Sequence, residues 1–133
     1  MFDKLRQDIY SVFASFAWKA NNIKVYPENY QGDVGSQTPY IRLTIIPGAA
    51  SLDSFSIGKR LSGRIILSIF VDNTAGDKDL YNVADLLDNY FQGKTLTNGT
   101  QFGPSTVTPL GIDTVNSSIY RGDYSIKFNS YGD

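Results

Sequence analysis

Residues 60–91, RLSGRIILSIFVDNTAGDKDLYNVADLLDNYF, constrain the fold more than any other part of the chain, because the hydrophobic period changes there from two to about 3.6. From 61 to 71 the odd positions (Leu61, Gly63, Ile65, Leu67, Ile69, Val71) make one nearly unbroken apolar face, while the even positions (Ser62, Arg64, Ile66, Ser68, Phe70) are mixed. Side chains alternate across a strand, so the pattern predicts a long strand with one buried face and one partly solvated face. Residues 73–77 are turn chemistry, with Asp77 placed to cap a helix. Leu80, Val83, Ala84, Leu86, Leu87, Tyr90 and Phe91 then follow helical spacing, and Gly93 stands where a left-handed stop is expected. The segment demands a sheet layer with a helix laid on it.

The rest of the chain extends that layer. Phe2, Leu5, Ile9, Val12, Phe13, Phe16, Ala17 and Ala20 recur at spacings of three and four, predicting one amphipathic helix over 3–20 with Asn21-Asn22 as its stop. Residues 23–26 are short and β-prone, and 27–39 (PENYQGDVGSQTP) read as a loop. Ile41, Leu43 and Ile45 alternate with Tyr40, Arg42 and Thr44 in a strand over 40–46, which Pro47-Gly48 is expected to end. A connector, 49–59, is too long for a tight turn and carries Leu52, Phe55 and Ile57 on something that should protrude. After the helix, Asn98-Gly99 is a hairpin signal, and Gly103-Pro104 and Pro109-Leu110-Gly111 interrupt the tract beyond it. In a last strand over 117–129, Tyr120, Tyr124, Ile126 and Phe128 share one face; Ile119, Arg121, Asp123, Ser125 and Lys127 share the other. Runs of strands between two helices predict one α+β domain over 1–133: a mainly antiparallel sheet of about four to six strands with two helices packed on one side.

A chain of 133 residues buries roughly two thirds of its unfolded surface and needs no disulfide or metal to stay folded. It has no Cys and no His, which removes thiolate zinc sites, imidazole ligands and Cys or His nucleophile–base pairs. Acid–base chemistry would fall to carboxylates, Lys or Tyr, so neither an enzyme nor a cofactor is expected. A net charge of −1 with no block of like charge makes no electrostatic case for nucleic acid or an anionic membrane. MFDKLRQDIY lacks the apolar core and cleavage site of a signal peptide, so none is expected, and no apolar run nears the roughly 18–20 residues of a membrane helix. The glycosylation-type triplets at Asn98 and Asn116 then read as coincidence.

Several short motifs resolve the same way. Gly93-Lys94-Thr95 follows a helix, whereas a phosphate loop opens one. Ser56 and Lys59 match S-x-x-K, but that pair must project from one helical turn, and here Gly58 intervenes between two strands. Asp72, Asp77 and Asp79 miss the spacing of a calcium loop and suit turn and cap duty. Asp85 and Asp88 lie one helical turn apart, on the face away from Leu86 and Leu87, and read as solvated carboxylates. Lys59, Arg60 and Arg64 have no aromatic platform beside them for a nucleic acid; they read as charges on a wet strand face or as partners across a subunit boundary. Tyr26, Tyr30, Tyr40, Tyr120, Tyr124 and Tyr131, among nine tyrosines, fit either strand filling or an interface. The apolar connector favours an interaction protein, because a monomer would have to hide Leu52, Phe55 and Ile57.

The order and spacing carry a resemblance over nearly the whole length. An N-terminal helix ends near Phe16 and Trp18; a short Val25-Tyr26 strand follows, then Pro39-Tyr40-Ile41-Arg42. Arg60-Leu61-Ser62-Gly63-Arg64-Ile65 runs into Ile69-Phe70, then comes the helix with Ala84-Asp85-Leu86-Leu87-Asp88. Tyr120-Arg121-Gly122-Asp123-Tyr124 through Phe128 closes the chain. This resembles the tail terminator (tail completion) proteins of tailed bacteriophages, the gpU-like minor tail proteins. The resemblance implies a subunit that closes into a ring, usually a hexamer, capping the tail tube, stopping its polymerisation and meeting the head-completion (connector) protein. Its partners would be copies of itself, the tail tube protein and the head-completion protein. DNA would pass through the lumen without specific binding, and no membrane is involved. Its place would be the tail–neck region of the virion, and the host cytoplasm during assembly. A head–tail joining or stopper protein, or a tail tube subunit, is the neighbouring alternative. A ring needs a heterologous interface; the candidates are Leu52, Phe55, Ile57 and Lys59 of the connector, Arg60 and Arg64 of the long strand, and Asp85 and Asp88 of the helix.

Overall fold

The computed structural model describes residues 2–27, 39–52, 59–74, 77–96, 99–112 and 118–132. Its elements run α1 (Phe2–Ala14), α2 (Phe16–Lys19), β1 (Lys24–Pro27), β2 (Tyr40–Leu52), β3 (Lys59–Asp72), α3 (Asp77–Phe91), β4 (Thr100–Ile112) and β5 (Ile119–Gly132). The strands form one five-stranded sheet in the order β1-β2-β3-β5-β4, with β1 parallel to β2 and every other neighbour antiparallel. The class is α+β, and the period switch marks the passage from β3 to α3.

The core follows from the alternation. Leu61, Ile65, Leu67 and Ile69 are fully buried, flanked by Ile41 and Leu43 on β2 and by Tyr124, Ile126 and Phe128 on β5. The register puts them side by side: Ile41 opposite Ile69, Leu43 opposite Leu67, and Leu67 opposite Tyr124. Leu5, Ile9 and Val12 of α1 join the same cluster, as do Leu80, Val83, Ala84, Leu87 and Phe91 of α3. The rings of Phe13 and Phe91 lie 5.5 Å apart and link the two helices, and Phe91 meets Phe102 of β4 at 5.2 Å. Leu80 sits where Gly122 leaves room; a Cβ there would stand 2.6 Å from Leu80 Cδ2. Both long helices therefore clothe one face of the sheet, each large apolar side chain contributing on the order of 1.5–3 kcal/mol by leaving water.

Four expectations change. The single helix over 3–20 breaks at Ser15, whose Oγ donates to the Val12 carbonyl at 2.7 Å and accepts the Trp18 N–H at 3.3 Å, capping α2. The break turns Trp18 into the core, where its Nε1 donates to the Ile23 carbonyl at 3.2 Å, and leaves Phe16 94% exposed with Ala17 and Ala20 also outside. Pro47-Gly48 does not end β2 but makes a register shift within it. There the two backbones come very close: a Cβ on Gly48 would lie 2.3 Å from the Ser62 carbonyl oxygen, and one on Gly63 would lie 2.3 Å from that of Ile46. Pairing then continues to Leu52 opposite Lys59, so the connector expected at 49–59 is partly strand, and 53–58 lie outside the described residues. Finally, Pro104 and Pro109 do not fragment the tract after α3. They sit within one strand, β4, at the edge of the sheet, where a missing N–H leaves no ladder bond broken, and two register shifts absorb them.

Other stops hold. Asn22 is left-handed (φ 57°) after α2, and Gly93 (φ 70°) ends the tract after α3. Asp77 is the first residue of α3. Of the expected hairpin at Asn98-Gly99, Asn98 lies outside the described residues; on either side of it the Leu96 N–H donates to Thr100 O at 2.8 Å and Thr95 bridges to Gln101. The loop read at 27–39 falls largely on 28–38, outside the described residues.

Candidate functional site

The face of the sheet away from the helices is built from the even residues of β2 and β3 and the odd residues of β5. Cross-strand register aligns them in rows: Ile46–Arg64–Lys127, Thr44–Ile66–Ser125–Thr106, and Arg42–Ser68–Asp123–Thr108. Arg64 and Lys127 are exposed and directly opposite each other, and among the described residues neither makes an ion pair. With Pro104, Thr106, Thr108 and Ser125 they line a cleft of about 330 Å³. Ile46 beside them is 43% exposed. Asp123 on the same face accepts a hydrogen bond from Ser68 Oγ at 2.9 Å.

The other end of this face is aromatic. Tyr40 stacks on Phe70 with centroids 4.7 Å apart and planes 10° apart, and Tyr26 meets Tyr40 edge-on at 6.1 Å. The Arg121 guanidinium lies 5.3 Å above the Phe70 ring. Among the described residues Arg121 Nε is buried without a hydrogen-bond partner, so the charge rests against the ring quadrupole of Phe70. Tyr40 and Tyr124 are core residues and Tyr26 and Tyr120 half-buried, so much of the tyrosine content fills strands.

On the helical side, Asp77, Tyr81 and Asp85 recur at i and i+4 along the outer ridge of α3, and all three are exposed. Asp88 leaves that ridge. It accepts from Tyr124 Oη at 2.5 Å and from Ser105 Oγ at 2.7 Å, tying α3 to β5 and β4. Burial first, and the Asp88 carboxylate second, push the Tyr124 hydroxyl well above its ordinary value near 10, against a smaller opposing pull from Ser105. A phenol held protonated in this way acts as a strut. Asp72 serves the turn before α3, accepting from the Thr74 N–H and Oγ1, each at 2.9 Å; those two bonds hold its carboxyl below the usual range. Among the described residues no three acidic side chains gather as a metal site would require.

The sequence-derived candidates are thus dispersed. Arg64 and Asp85 stand on opposite sides of the sheet, and Asp88 points inward. The backbone sets Leu52 opposite Lys59 and Arg60 opposite Ser51, at the end of the β2–β3 hairpin, and Phe55 and Ile57 lie outside the described residues. Two features escape a reading of the sequence. Lys127 completes the cation pair only through the β3–β5 register. Asp8 is 1% exposed and takes a hydrogen bond from Thr100 Oγ1 at 2.8 Å; its position between Leu5 and Val12, on the apolar stripe, is the available sign. The α2 segment that bears Phe16 also borders an open groove of about 350 Å³ lined by Phe13, Trp18 and β1.

No family model matches the chain, and no curated protein does. Among solved structures, one chain aligns over 98% of this protein and 95% of its own length, at a TM-score of 0.67 and 16% sequence identity. At that identity the likeness establishes a shared fold.

Proposed function

We propose that this protein is a structural subunit of a tailed bacteriophage. Copies of it close into a ring, a hexamer, on the end of the tail tube, end the growth of the tube and offer the surface to which the head-completion protein attaches. It works by shape, transforms no molecule and holds no cofactor, and DNA passes its lumen without specific contacts. The order and spacing of its elements support this reading, as does one structural observation above the rest: a sheet whose second face, clothed by no described helix, carries Ile46 and a cation pair, Arg64 and Lys127, that has no ion-pair partner among the described residues. Its edges are poorly suited to strand addition. β1 is four residues long and ends in Pro27; β2 beyond Leu43, which β1 does not pair, carries Pro47 and a register shift; and β4 carries two prolines and two register shifts. Contacts between copies then fall to faces.

Native mass and a tail-length assay test this. The expected result is a ring in solution, or a monomer that assembles on tail tubes lacking their cap and fixes their length. A protein that stays solitary at high concentration and on tubes, or that turns over a substrate, would overturn the proposal. Stacking into tubes of its own would indicate a tail tube subunit, and binding to heads without fixing tube length would indicate a joining or stopper protein.

A further inference from the structure

We infer that in such a ring the outer ridge of α3 of one copy docks on the open sheet face of the next, with Asp85 seated between Arg64 and Lys127. The inference rests on the ring reading above and adds the two mating surfaces.

Arg64 and Lys127 face each other across the β3–β5 ladder, an arrangement of like charges that is unfavourable in an isolated sheet. Among the described residues, the acid nearest in register on that face, Asp123, is four β5 residues from Lys127, about 13 Å at the rise of a strand, and is held by Ser68. Among the described residues the pair therefore lacks a counter-charge within its own subunit. The exposed acids of α3 lie on the far side of the sheet, where no bend of the same chain could deliver them. A second copy can. A contact between two different patches of one subunit is heterologous, the kind that closes rings.

The spans also match. Asp77 and Asp85 are eight helical residues apart, about 12 Å. Arg64 and the row that holds Arg42 and Ser68 are four strand residues apart, about 13 Å. Halfway along the helix ridge is Tyr81, 44% exposed, and halfway along the strand is Ile66. With Asp85 at the cations, Tyr81 falls over Ile66, and the first turn of α3 reaches the Arg42–Asp123 row, where Lys78 meets Asp123. Aromatic ring on aliphatic patch, framed by opposite charges, is the usual anatomy of a subunit contact.

Charge reversal tests the pairing. Asp85→Arg alone, and Arg64→Glu with Lys127→Glu, should each abolish the ring or weaken association by at least about tenfold, while circular dichroism and Trp18 fluorescence stay those of the folded monomer. All three substitutions in one chain should restore the ring, as should mixing the two variants under conditions where neither assembles alone. If the wild type forms rings and the reversals leave them intact, or if each reversal breaks the ring and the combination does not mend it, the contact is wrong and the ring stands. If the wild type remains solitary even on tail tubes, the ring reading falls and the contact with it. Loss of tube binding by Arg64→Glu/Lys127→Glu alone, with Asp85→Arg unaffected, would assign the face to the tail tube protein and overturn the inference.

Discussion

Tyr124 is enclosed in the core and donates to Asp88, and both circumstances favour its neutral form. Removing the hydroxyl with Tyr124→Phe leaves Asp88 with Ser105 and should cost about 1–3 kcal/mol in urea unfolding at neutral pH. The pH dependence has a definite sign. The folded hydroxyl loses its proton at a higher pH than the unfolded one, so its contribution is complete below pH 10 and declines as pH rises above it. Between the unfolded and folded values the unfolded chain binds fewer protons, and stability falls by up to about 1.4 kcal/mol per pH unit from this group. The fall should be shallower in Tyr124→Phe when both proteins are titrated from pH 8 to 11; equal slopes would mean that the hydroxyl titrates as if exposed. At Gly63 the constraint is steric. A methyl group there meets the Ile46 carbonyl oxygen, the Gly48 nitrogen and the Phe128 ring together, two of them backbone atoms with little freedom to yield. Gly63→Ala should destabilise by about 1–3 kcal/mol, read as a lower urea midpoint at unchanged slope.

At the scale of elements, β3, α3 and β5 are legible in the sequence because each has one dominant period and one buried face. The illegible parts depend on neighbours distant in sequence. Pro47-Gly48 reads as a stop until Gly63 is placed opposite it, because only then does the close approach become possible and the strand continue as a bulge. Pro104 and Pro109 read as breakers because their place at the sheet edge is a property of the whole topology. Asp88 reads as part of the wet face of α3 by its distance from Leu86 and Leu87, whereas the tip of Tyr124 reaches out from the core to meet it. The cation pair shows the same limit: Arg64 is visible in the strand pattern, and Lys127 becomes its neighbour only once β5 is paired. Two of these elements can be probed singly. Ser15→Ala removes the cap of α2 and should cost about 1 kcal/mol; because Trp18 is the single tryptophan, its emission should shift to longer wavelength as the ring loosens from Phe13 and Tyr90. Replacing Pro109 with Thr should raise self-association through the β4 edge, seen as increased light scattering with more β signal, because the substitution returns an N–H to an exposed strand.

For the whole molecule, the two faces of one sheet differ: one is buried under helices and holds the fold, and the other, among the described residues, carries no helix and exposes Ile46, Arg64 and Lys127. Two candidate contacts then make opposite demands on salt. A contact of Asp85 with Arg64 and Lys127 joins groups that are exposed in the free subunit, so it weakens as ions screen it, over a Debye length of about 10 Å at 0.1 M salt and about 3 Å at 1 M. A contact made by the apolar side chains of the connector, Leu52, Phe55 and Ile57, gains from sulfate, which is excluded from apolar surface and strengthens burial. Ring formation followed by sedimentation from 0.05 to 1 M sodium chloride, and again in sodium sulfate at matched ionic strength, should fall in both series if the ridge-to-face contact dominates. Assembly that rises in sulfate while chloride leaves it level would move the interface to the hairpin end of the sheet, and in that case Phe55→Asp with Ile57→Asp should abolish it where Asp85→Arg does not.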